Sequence, residues 1–305
     1  MKQTDIIIIG AGPAGMMSAI YARRADKNVI LLDKNAPGGR LHSTYQVENY
    51  LGFGKVSAQE LVEKMVNHLR DLDIEETQGL VKNITSSNHL FKVTTDHDEY
   101  LCKSLIIASG TNPKALQVEN EKQLLSKGVS YCAVCDGIFF KEEDVCVIGG
   151  GDSALEESVY LSQIAKSVTI IHDLDHFSAT KGIIQRIKDN PKIKILLSTK
   201  VLGFVGESEL KNIKLQNLNN NSIYELNVSG AFIYAGNEAD ASFLQNFDIV
   251  DESGYVKVDQ EMKTSFQGLF ACGDVTKKDY RFIVTAISDG AIAALSAVKY
   301  LENLE

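Results

Sequence analysis

The chain has no excess of positive charge. Its 305 residues include 31 Lys and Arg against 40 Asp and Glu, which gives a formal net charge of −9. Because nucleic-acid binding requires a basic surface that neutralises phosphates, this balance argues against nucleic acid as a partner. No apolar run approaches the roughly 20 residues of a membrane span, and a start with one Lys, four consecutive Ile and then glycines lacks the flanks of a signal peptide. We therefore expect no membrane segment.

Cysteine and histidine are also scarce. The five cysteines are Cys102, Cys132, Cys135, Cys146 and Cys272. An odd number with one close pair is not the disulfide framework of a small secreted protein, so we expect a reducing, cytoplasmic setting. The six histidines do not have the spacing of metal ligands, and we predict no metal site. The absence of Trp and the presence of only four Pro indicate no function.

Residues 5–34 have the pattern of a strand, a glycine turn, a helix and a second strand. The turn is Gly10-x-Gly12-x-x-Gly15, and the second strand ends at Asp33. The first glycine permits the tight turn, the second lets the backbone approach a pyrophosphate, and the third lets the helix pack close to the strand. The pyrophosphate meets free N–H groups at the helix N-terminus, and the acid accepts hydrogen bonds from ribose hydroxyls. This segment predicts a dinucleotide site.

The same pattern returns at residues 144–173. Gly149 and Gly151 precede Ala154, a larger third residue that some of these turns accept, and Asp173 ends the second strand. Two intact copies predict two nucleotide sites. The alternative is that the second copy is a degenerate repeat that no longer binds a nucleotide.

The remaining pattern predicts supporting strands and one long helix, and hence an α/β protein. The predicted elements are strands at 6–9, 29–32, 145–148 and 168–171, helices at 14–25 and 282–302, a strand ending at 108–110, a hairpin turning at 219–221 and a short strand before Gly273-Asp274.

The motif CAVCDG at 132–137 lies just before the second glycine turn. With it, the chain resembles the low-molecular-weight thioredoxin reductases, which are flavoproteins with two dinucleotide-binding domains (class II pyridine nucleotide-disulfide oxidoreductases). The other matching segments are PGGR at 37–40, TYQVENYLGF at 44–53, ASG at 108–110, TSFQGLFACGDV at 264–275 and YRFIVTAISDGAIAALSA at 280–297. The resemblance covers essentially the whole chain.

The resemblance implies two Rossmann-like, three-layer ββα domains, the second inserted into the first. The first would comprise residues 1–114 and 244–305 and bind FAD; the second would comprise 115–243 and bind NADH or NADPH. The implied FAD-binding residues are Gly10, Gly12, Pro13, Ala14, Gly15, Asp33, Lys34, Gly39, Arg40, Asn49, Ala108, Gly110, Gly273, Asp274, Arg281, Phe282 and Ile283. The implied nicotinamide-nucleotide residues are Gly149, Gly151, Asp152, Ser153 and Asp173.

In the first implied set, Asp274 would bind the ribityl chain. The N–H groups near 281–283, at the start of the last helix, would face the isoalloxazine, where the helix dipole favours negative charge. Arg40 and Phe282 stand where relatives commonly have Gln, which predicts an altered flavin environment. The resemblance also implies a homodimer.

The pair Cys132 and Cys135 has three interpretations. Zinc would need two further ligands, and the other cysteines are isolated in apolar runs typical of buried structural residues. A static disulfide closing so small a loop would add little stability in a reducing cell. We therefore favour redox exchange, for which the Cys-x-x-Cys spacing is suited because it lowers a thiol pKa.

The resemblance assigns roles around this pair. Cys135 would face the flavin as the charge-transfer thiolate, Cys132 would attack the disulfide of thioredoxin, and Asp136 would exchange protons with the thiols. The alternative for Asp136 is a solvated turn residue. The apolar residues 138–140 would either dock thioredoxin or belong to the core. Electrons would pass from nicotinamide to FAD, to the disulfide and to thioredoxin, with a rotation of the inserted domain about linkers near 114 and 244.

The segment HDLDHFSA at 172–179 departs from the family pattern HRRDxFRA. Asp173, Leu174 and Ser178 occupy the positions of three arginines that clamp the 2′-phosphate of NADPH. Because an acid repels that phosphate and suits a free 2′-hydroxyl, we predict NADH over NADPH, although Lys181 and Arg186 nearby could admit NADPH. Relatives that use ferredoxin also lack the arginines but usually lose the glycine turn. Ferredoxin as donor, and a non-catalytic redox sensor, stay as alternatives.

Overall fold

The computed structural model describes residues 2–74 and 76–304. The chain forms two compact units. The first comprises Met1–His42, Gln46–Asn112 and Glu238–Glu305, and the second comprises Ser43–Tyr45 and Pro113–Asn237. The sequence-based division near 114 and 244, with one nucleotide assigned to each domain, stays a prediction.

The first unit is built on a seven-stranded sheet. Its strands and helices are β1 (Lys2–Ile9), α1 (Pro13–Arg24), β2 (Val29–Asp33), β3 (Gln46–Val47), β4 (Val56–Ser57), α2 (Ala58–Arg70), β5 (Glu76–Gln78), β6 (Val81–Ser87), β7 (Leu90–Thr95), β8 (Glu99–Ile107), β19 (Leu269–Ala271) and α7 (Ile283–Glu302). The strand order is β5-β2-β1-β8-β7-β6, and β19 pairs with β8. The strands β5, β2, β1, β8 and β19 are parallel, whereas β6 and β7 are antiparallel additions.

The parallel part of this sheet is apolar on both faces, as expected where helices and loops cover both sides. In β1, Ile6 and Ile8 pack against α1 and α7, whereas Ile7 and Ile9 point to the opposite face, against β6, β7 and the segment that follows residue 241. The alternation follows from the two-residue period of a strand. The four consecutive Ile residues therefore fill two cores at once.

Helix α7 is long and apolar enough, by length and composition alone, to cross a membrane. Eight of its residues are buried in the first unit. The approach to α1 is very close: a Cβ on Gly290 would lie 2.2 Å from the carbonyl oxygen of Ala14. These contacts make α7 a core helix.

The second unit has a five-stranded parallel sheet and a three-stranded antiparallel sheet. Its elements are α3 (Glu121–Leu124), β10 (Val129–Ser130), α4 (Ala133–Asp136), β11 (Asp144–Ile148), α5 (Asp152–Ser162), β12 (Ser167–Ile171), α6 (Lys181–Lys188), β13 (Ile193–Leu196), β14 (Thr199–Val205), β15 (Asn212–Asn217), β16 (Ile223–Asn227) and β17 (Gly230–Ile233). The parallel order is β10-β17-β11-β12-β13, and the antiparallel order is β14-β15-β16. The predicted hairpin turn at 219–221 is confirmed, since β15 pairs with β16 across it.

Two short strands carry the chain between the units. Strand β9 (Thr111–Pro113) leaves the first unit and β18 (Asn237–Ala239) returns to it, and the two form a two-stranded sheet. The sequence pattern did not predict either strand, because each has three residues and no apolar alternation.

Candidate active site

Both glycine turns adopt the conformation that the motif requires. Gly10 has φ +107°, and a Cβ there would lie 2.3 Å from the carbonyl oxygen of Ala108. Gly149 has φ +142°, and its Cβ would lie 2.4 Å from the carbonyl oxygen of Tyr234. Both positions thus combine a left-handed backbone with a neighbour too close for any side chain, which leaves glycine as the residue that fits.

The first turn presents an open helix N-terminus. Gly12 precedes α1 without a side-chain cap, Pro13 begins the helix, and Ala14 and Gly15 lie in its first turn. The N–H groups there have no partner within the helix and are suited to a pyrophosphate. Gly39 faces this turn, since its Cβ would lie 3.2 Å from the Cα of Gly12.

Polar side chains surround the first turn. One carboxylate oxygen of Asp33 accepts a 2.6 Å hydrogen bond from the N–H of Ala11, and the other accepts from Asn35. Lys34 pairs with Asp240 at 2.6 Å. The Lys34 ammonium thus has a partner within the protein. Its contact with the nucleotide stays a prediction.

Arg40 lies in a short 3-10 helix (Gly39–Ser43) after β2, and Asn49 lies between β3 and β4. A guanidinium nitrogen of Arg40 lies 3.3 Å from the hydroxyl of Thr111, and Asn49 is exposed and lines a surface cavity of residues 48–54. Gly110, which follows β8, accepts a hydrogen bond from the N–H of Asp240.

Asp274 follows β19 and has an unpaired buried oxygen. Its Oδ1 atom lies out of solvent without a hydrogen-bond partner among the described residues. Burial raises the pKa of this carboxyl, against the lowering effect of Lys278, Arg40 and Arg281. A buried unpaired carboxylate is costly unless a ligand supplies a donor, and a ribityl hydroxyl is such a donor. The residues present therefore fit FAD.

The three residues predicted to contact the flavin at the start of α7 have different surroundings. The guanidinium of Arg281 lies 4.3 Å from the ring centroid of Tyr255 and reaches the carbonyl oxygen of Asp274 at 3.4 Å. Phe282 is exposed and lies with its ring 6.3 Å from that of Tyr280. Ile283 begins the helix.

The second turn likewise ends at an uncapped helix. Gly151 precedes α5 without a side-chain cap, and a Cβ there would meet one atom within 4 Å, the Ser178 hydroxyl oxygen at 3.8 Å. Asp152 accepts a hydrogen bond from the N–H of Thr180 at 2.8 Å, and Ser153 is exposed. The open space beside Gly151 allows a pyrophosphate to approach the backbone.

The segment after β12 carries two acidic side chains. Asp173 is two-thirds exposed and lies 3.3 Å from Nδ1 of His172, and Asp175 pairs with His176 at 2.6 Å. Nε2 of His172 is buried without a partner in the described part of the chain. Lys181 and Arg186 are exposed on α6.

The third element is the redox pair. Cys132 and Cys135 form a disulfide in which Cys132 is half-buried and Cys135 exposed. The N–H of Cys135 lies 3.1 Å from the sulfur of Cys132. Asp136 accepts a hydrogen bond of 2.6 Å from the hydroxyl of Ser130. The predicted cysteines and acid thus come together in a single turn.

The apolar residues after this turn separate into two groups. Ile138 and Phe139 are 57% and 78% exposed, whereas Phe140 packs edge-on against Phe232 with ring centroids 5.6 Å apart. Phe140 is therefore a core residue, and the first two form an exposed apolar pair.

The other three cysteines are buried free thiols. Burial raises the pKa of Cys102 and of Cys272 to about 12 and also raises the pKa of Cys146. They remain protonated at neutral pH and are poor nucleophiles. Within residues 2–74 and 76–304, no three His, Cys, Asp or Glu side chains come together as a metal site would require.

Three residues near these sites were not predicted. Ser130 and Tyr234 contact the redox turn, and Glu157 is buried on α5 with one carboxylate oxygen unpaired among the described residues. Burial raises the pKa of Glu157 to about 8. A serine two positions before Cys132 was a local signal, but Tyr234 lies about a hundred positions away and offered none.

Two dinucleotide-type turns, a buried unpaired acid and a surface Cys-x-x-Cys disulfide define a dithiol–disulfide oxidoreductase. The family model of the pyridine nucleotide-disulphide oxidoreductases matches residues 4–290. The chain therefore belongs to this family, as the resemblance implied.

Individual relatives cover the whole chain. It is 39% identical over 305 residues to a thioredoxin reductase of Bacillus subtilis (strain 168), covering 100% of this chain and 96% of the relative. The crystal structure of Lactococcus lactis thioredoxin reductase matches with a TM-score of 0.96 and 39% identity, over 98% of this chain and 99% of that one. A ferredoxin-flavin thioredoxin reductase from Clostridium acetobutylicum matches with a TM-score of 0.56 and 30% identity, over 100% and 99%. These matches confirm the predicted α/β fold class with two dinucleotide-binding domains.

Proposed function

We propose that the protein is a flavin-dependent thioredoxin reductase that passes electrons from a nicotinamide nucleotide through the Cys132–Cys135 disulfide to thioredoxin. The observation that carries the proposal is the half-exposed disulfide itself, held in the unit that contains the second glycine turn. Full-length similarity to thioredoxin reductases supports the assignment of the partner.

The family implies FAD and a nicotinamide cofactor. In the proposal, Gly10, Gly12 and Asp33 hold the dinucleotide part of FAD, and Asp274 takes a ribityl hydroxyl. When bound, FAD supplies two-electron transfer between a hydride donor and a disulfide. The second nucleotide occupies the turn of Gly149 and Gly151.

The thiol steps use residues of this chain. Two electrons and two protons open the Cys132–Cys135 bond to a dithiol. The thiolate of Cys132 then attacks the disulfide of thioredoxin, forms a mixed disulfide and releases one thioredoxin thiolate. Attack by Cys135 on the Cys132 sulfur releases the second thiol and restores the pair. Asp136 takes up and returns the protons.

NADH is the preferred donor in this proposal. Asp173 puts negative charge where a 2′-phosphate would lie, and that phosphate needs positively charged or N–H donors. A free 2′-hydroxyl, by contrast, can donate to Asp173.

A ferredoxin donor is the second candidate. Its support is the similarity to the Clostridium acetobutylicum ferredoxin-flavin enzyme together with the missing arginines at 173, 174 and 178. The geometry of the second glycine turn favours the nucleotide, since α5 begins without a side-chain cap and Ser153 in its first turn is exposed.

The deciding experiment is an anaerobic titration of the oxidised holoprotein with NADH, NADPH and reduced ferredoxin, each alone, followed by the visible absorbance of the flavin. Reduction by NADH at much lower concentration than NADPH is expected. If only reduced ferredoxin reduces the flavin, the electron donor is ferredoxin and not a nicotinamide nucleotide, and the proposed dithiol steps are unaffected. Repeated turnover with thioredoxin would identify an enzyme, because a redox sensor needs only one slow cycle of oxidation and reduction.

The proposal also includes a thioredoxin-binding surface, an oligomeric state and a cellular location. In the proposal, Ile138 and Phe139 dock thioredoxin, and their exposure close to the disulfide supports this role. The protein is a cytoplasmic homodimer, an assignment that rests on the family resemblance and on the cysteine pattern.

A further inference from the structure

Ser130 is a buried serine whose hydroxyl contacts both partners of the thiol chemistry. It ends β10 and is 4% exposed. Its Oγ lies 2.6 Å from Oδ2 of Asp136 and 3.0 Å from the N–H nitrogen of Cys132. It also lies 3.3 Å from the carbonyl oxygen of Cys132.

A hydroxyl has one hydrogen to donate and two lone pairs with which to accept. When Asp136 is ionised, Ser130 donates to the carboxylate and accepts from the N–H of Cys132. When Asp136 carries a proton on Oδ2, that proton is donated to Ser130, and the Ser130 hydrogen turns to the carbonyl oxygen of Cys132. Each state satisfies this hydroxyl. Protonation of Asp136 therefore reverses the hydrogen bond between Ser130 and Asp136 and adds one from Ser130 to the carbonyl oxygen of Cys132.

We propose that Ser130 is a positioning residue that couples proton uptake by Asp136 to the backbone of Cys132. The inference rests on the proposed function, in which Cys132 is the attacking thiol and Asp136 its proton acceptor. In the coupled step the proton of the Cys132 thiol passes to the Asp136 carboxylate, which leaves a thiolate and a carboxylic acid. The Ser130 hydrogen turns to the Cys132 carbonyl at the same time, with no change in the number of protons.

The turn is also closed by a contact that does not involve the hydroxyl. The N–H of Asp136 donates to the carbonyl oxygen of Cys132 at 3.2 Å, which closes the turn through the backbone. Ser130 is itself held by the parallel pairing of β10 with β17, opposite Phe232. Removal of the hydroxyl should therefore change the chemistry of the turn more than its structure.

The test is a double-mutant cycle between Ser130 and Asp136 on the full chain. The reduced protein is alkylated with iodoacetamide from about pH 5 to about pH 9, and the modification of Cys132 is followed by peptide mass spectrometry, because alkylation reports the thiolate. We expect Asp136→Asn, which removes the proton acceptor, to slow alkylation at neutral pH by about 10-fold. Ser130→Ala should change the rate by about 10-fold in the opposite direction, because a carboxylate that has lost a charge-assisted hydrogen bond binds a proton more readily. The double variant should match Asp136→Asn alone.

Two further variants control for structural damage. Ser130→Thr keeps a hydroxyl and should retain the wild-type pH profile. Ser158→Ala removes another buried hydroxyl of the same unit, which donates to the carbonyl of Ala154, and should leave the profile unchanged.

Additive effects of Ser130→Ala and Asp136→Asn would overturn the coupling, as would an unaltered profile in Ser130→Ala. The assay requires neither FAD, nicotinamide nor thioredoxin. Failure of the wild type to reduce thioredoxin would therefore overturn the proposed function separately, while the cycle still measures the coupling.

Discussion

The hydroxyl of Tyr234 accepts a hydrogen bond of 3.0 Å from the backbone N–H of Ala133. Tyr234 follows β17, whereas Ala133 is buried and begins α4 directly after Cys132. The N–H groups of a first helical turn have no partner within the helix. The tyrosine therefore satisfies one of them and ties the redox turn to the sheet.

Replacement of Tyr234 by Phe removes this acceptor and leaves a buried N–H unpaired. We expect the free energy of unfolding to fall by about 1–2 kcal/mol, measured by urea denaturation of the oxidised protein. Tyr224→Phe removes an exposed hydroxyl of the same unit and should change the stability little. Equal losses in the two variants would contradict a specific role for Tyr234.

Replacement of Asp173 and Leu174 by Arg should reverse the donor preference. Both residues are exposed, so the new guanidinium groups can pair with a 2′-phosphate without burial of charge. We expect the ratio of kcat/KM for NADPH to that for NADH to rise by at least about 10-fold. The matched control is Asp175→Arg, which changes charge at an exposed acid two positions away; a similar rise there would mean that net charge, rather than position, sets the preference.

Replacement of Asp274 by Ala should weaken FAD binding without harm to the apoprotein. The buried Oδ1 atom has no partner among the described residues, and burial raises the pKa of this carboxyl. The charged form therefore costs stability in the absence of a donor. We expect the Kd for FAD, from fluorescence titration of the apoprotein, to rise by about 10- to 100-fold, and the unfolding free energy of the apoprotein at neutral pH to stay equal or rise.

Asp279→Ala serves as the control for this experiment, because that acid is exposed in the same loop. Its FAD affinity should equal that of the wild type. An apoprotein destabilised by Asp274→Ala would show that the acid has a structural role that its contacts do not reveal.

The buried carboxyl of Glu157 should lower the free energy of unfolding at alkaline pH. Burial raises its pKa from 4.5 to about 8, so the folded state binds a proton that the unfolded state releases. Its unfavourable contribution is absent below about pH 4.5, grows as the pH rises and is complete above about pH 8. At about 1.4 kcal/mol for each pKa unit, the full cost is of order 3–5 kcal/mol.

Glu157→Gln cannot ionise and should escape this cost. We expect the unfolding free energy of the variant to exceed that of the wild type increasingly between about pH 5 and pH 8. Glu156→Gln, at the adjacent exposed position, removes only the smallest of the named causes of the raised Glu157 pKa and should stay close to the wild type. Parallel pH curves for Glu157→Gln and the wild type would show that the carboxyl is ionised in the folded protein.

The sequence predicted the elements whose signals are local. The four Ile residues of β1, the glycine spacing at 10–15 and 149–154 and the Asn-rich turn at 219–221 each determine a strand or a turn within a few positions. The last helix was placed correctly to within one residue because its apolar residues recur with helical period.

Features that depend on distant parts of the chain were not predictable in this way. The partner of Ala133 comes from the end of a strand about a hundred positions later, and the partner of Lys34 is Asp240. The two-stranded sheet of β9 and β18 forms because residues far apart in sequence meet. Such pairings carry no local periodicity, and the three-dimensional structure is needed to find them.

The burial of Cys102, Cys146 and Cys272 has a practical consequence. Since their thiols stay protonated and out of solvent, the native protein should offer an alkylating reagent no cysteine while it is oxidised and two once it is reduced. A reduced molecule should therefore carry two labels and an oxidised molecule none, and intact mass distinguishes the two. This measurement gives the oxidation state of the disulfide at any moment of turnover without use of the flavin absorbance.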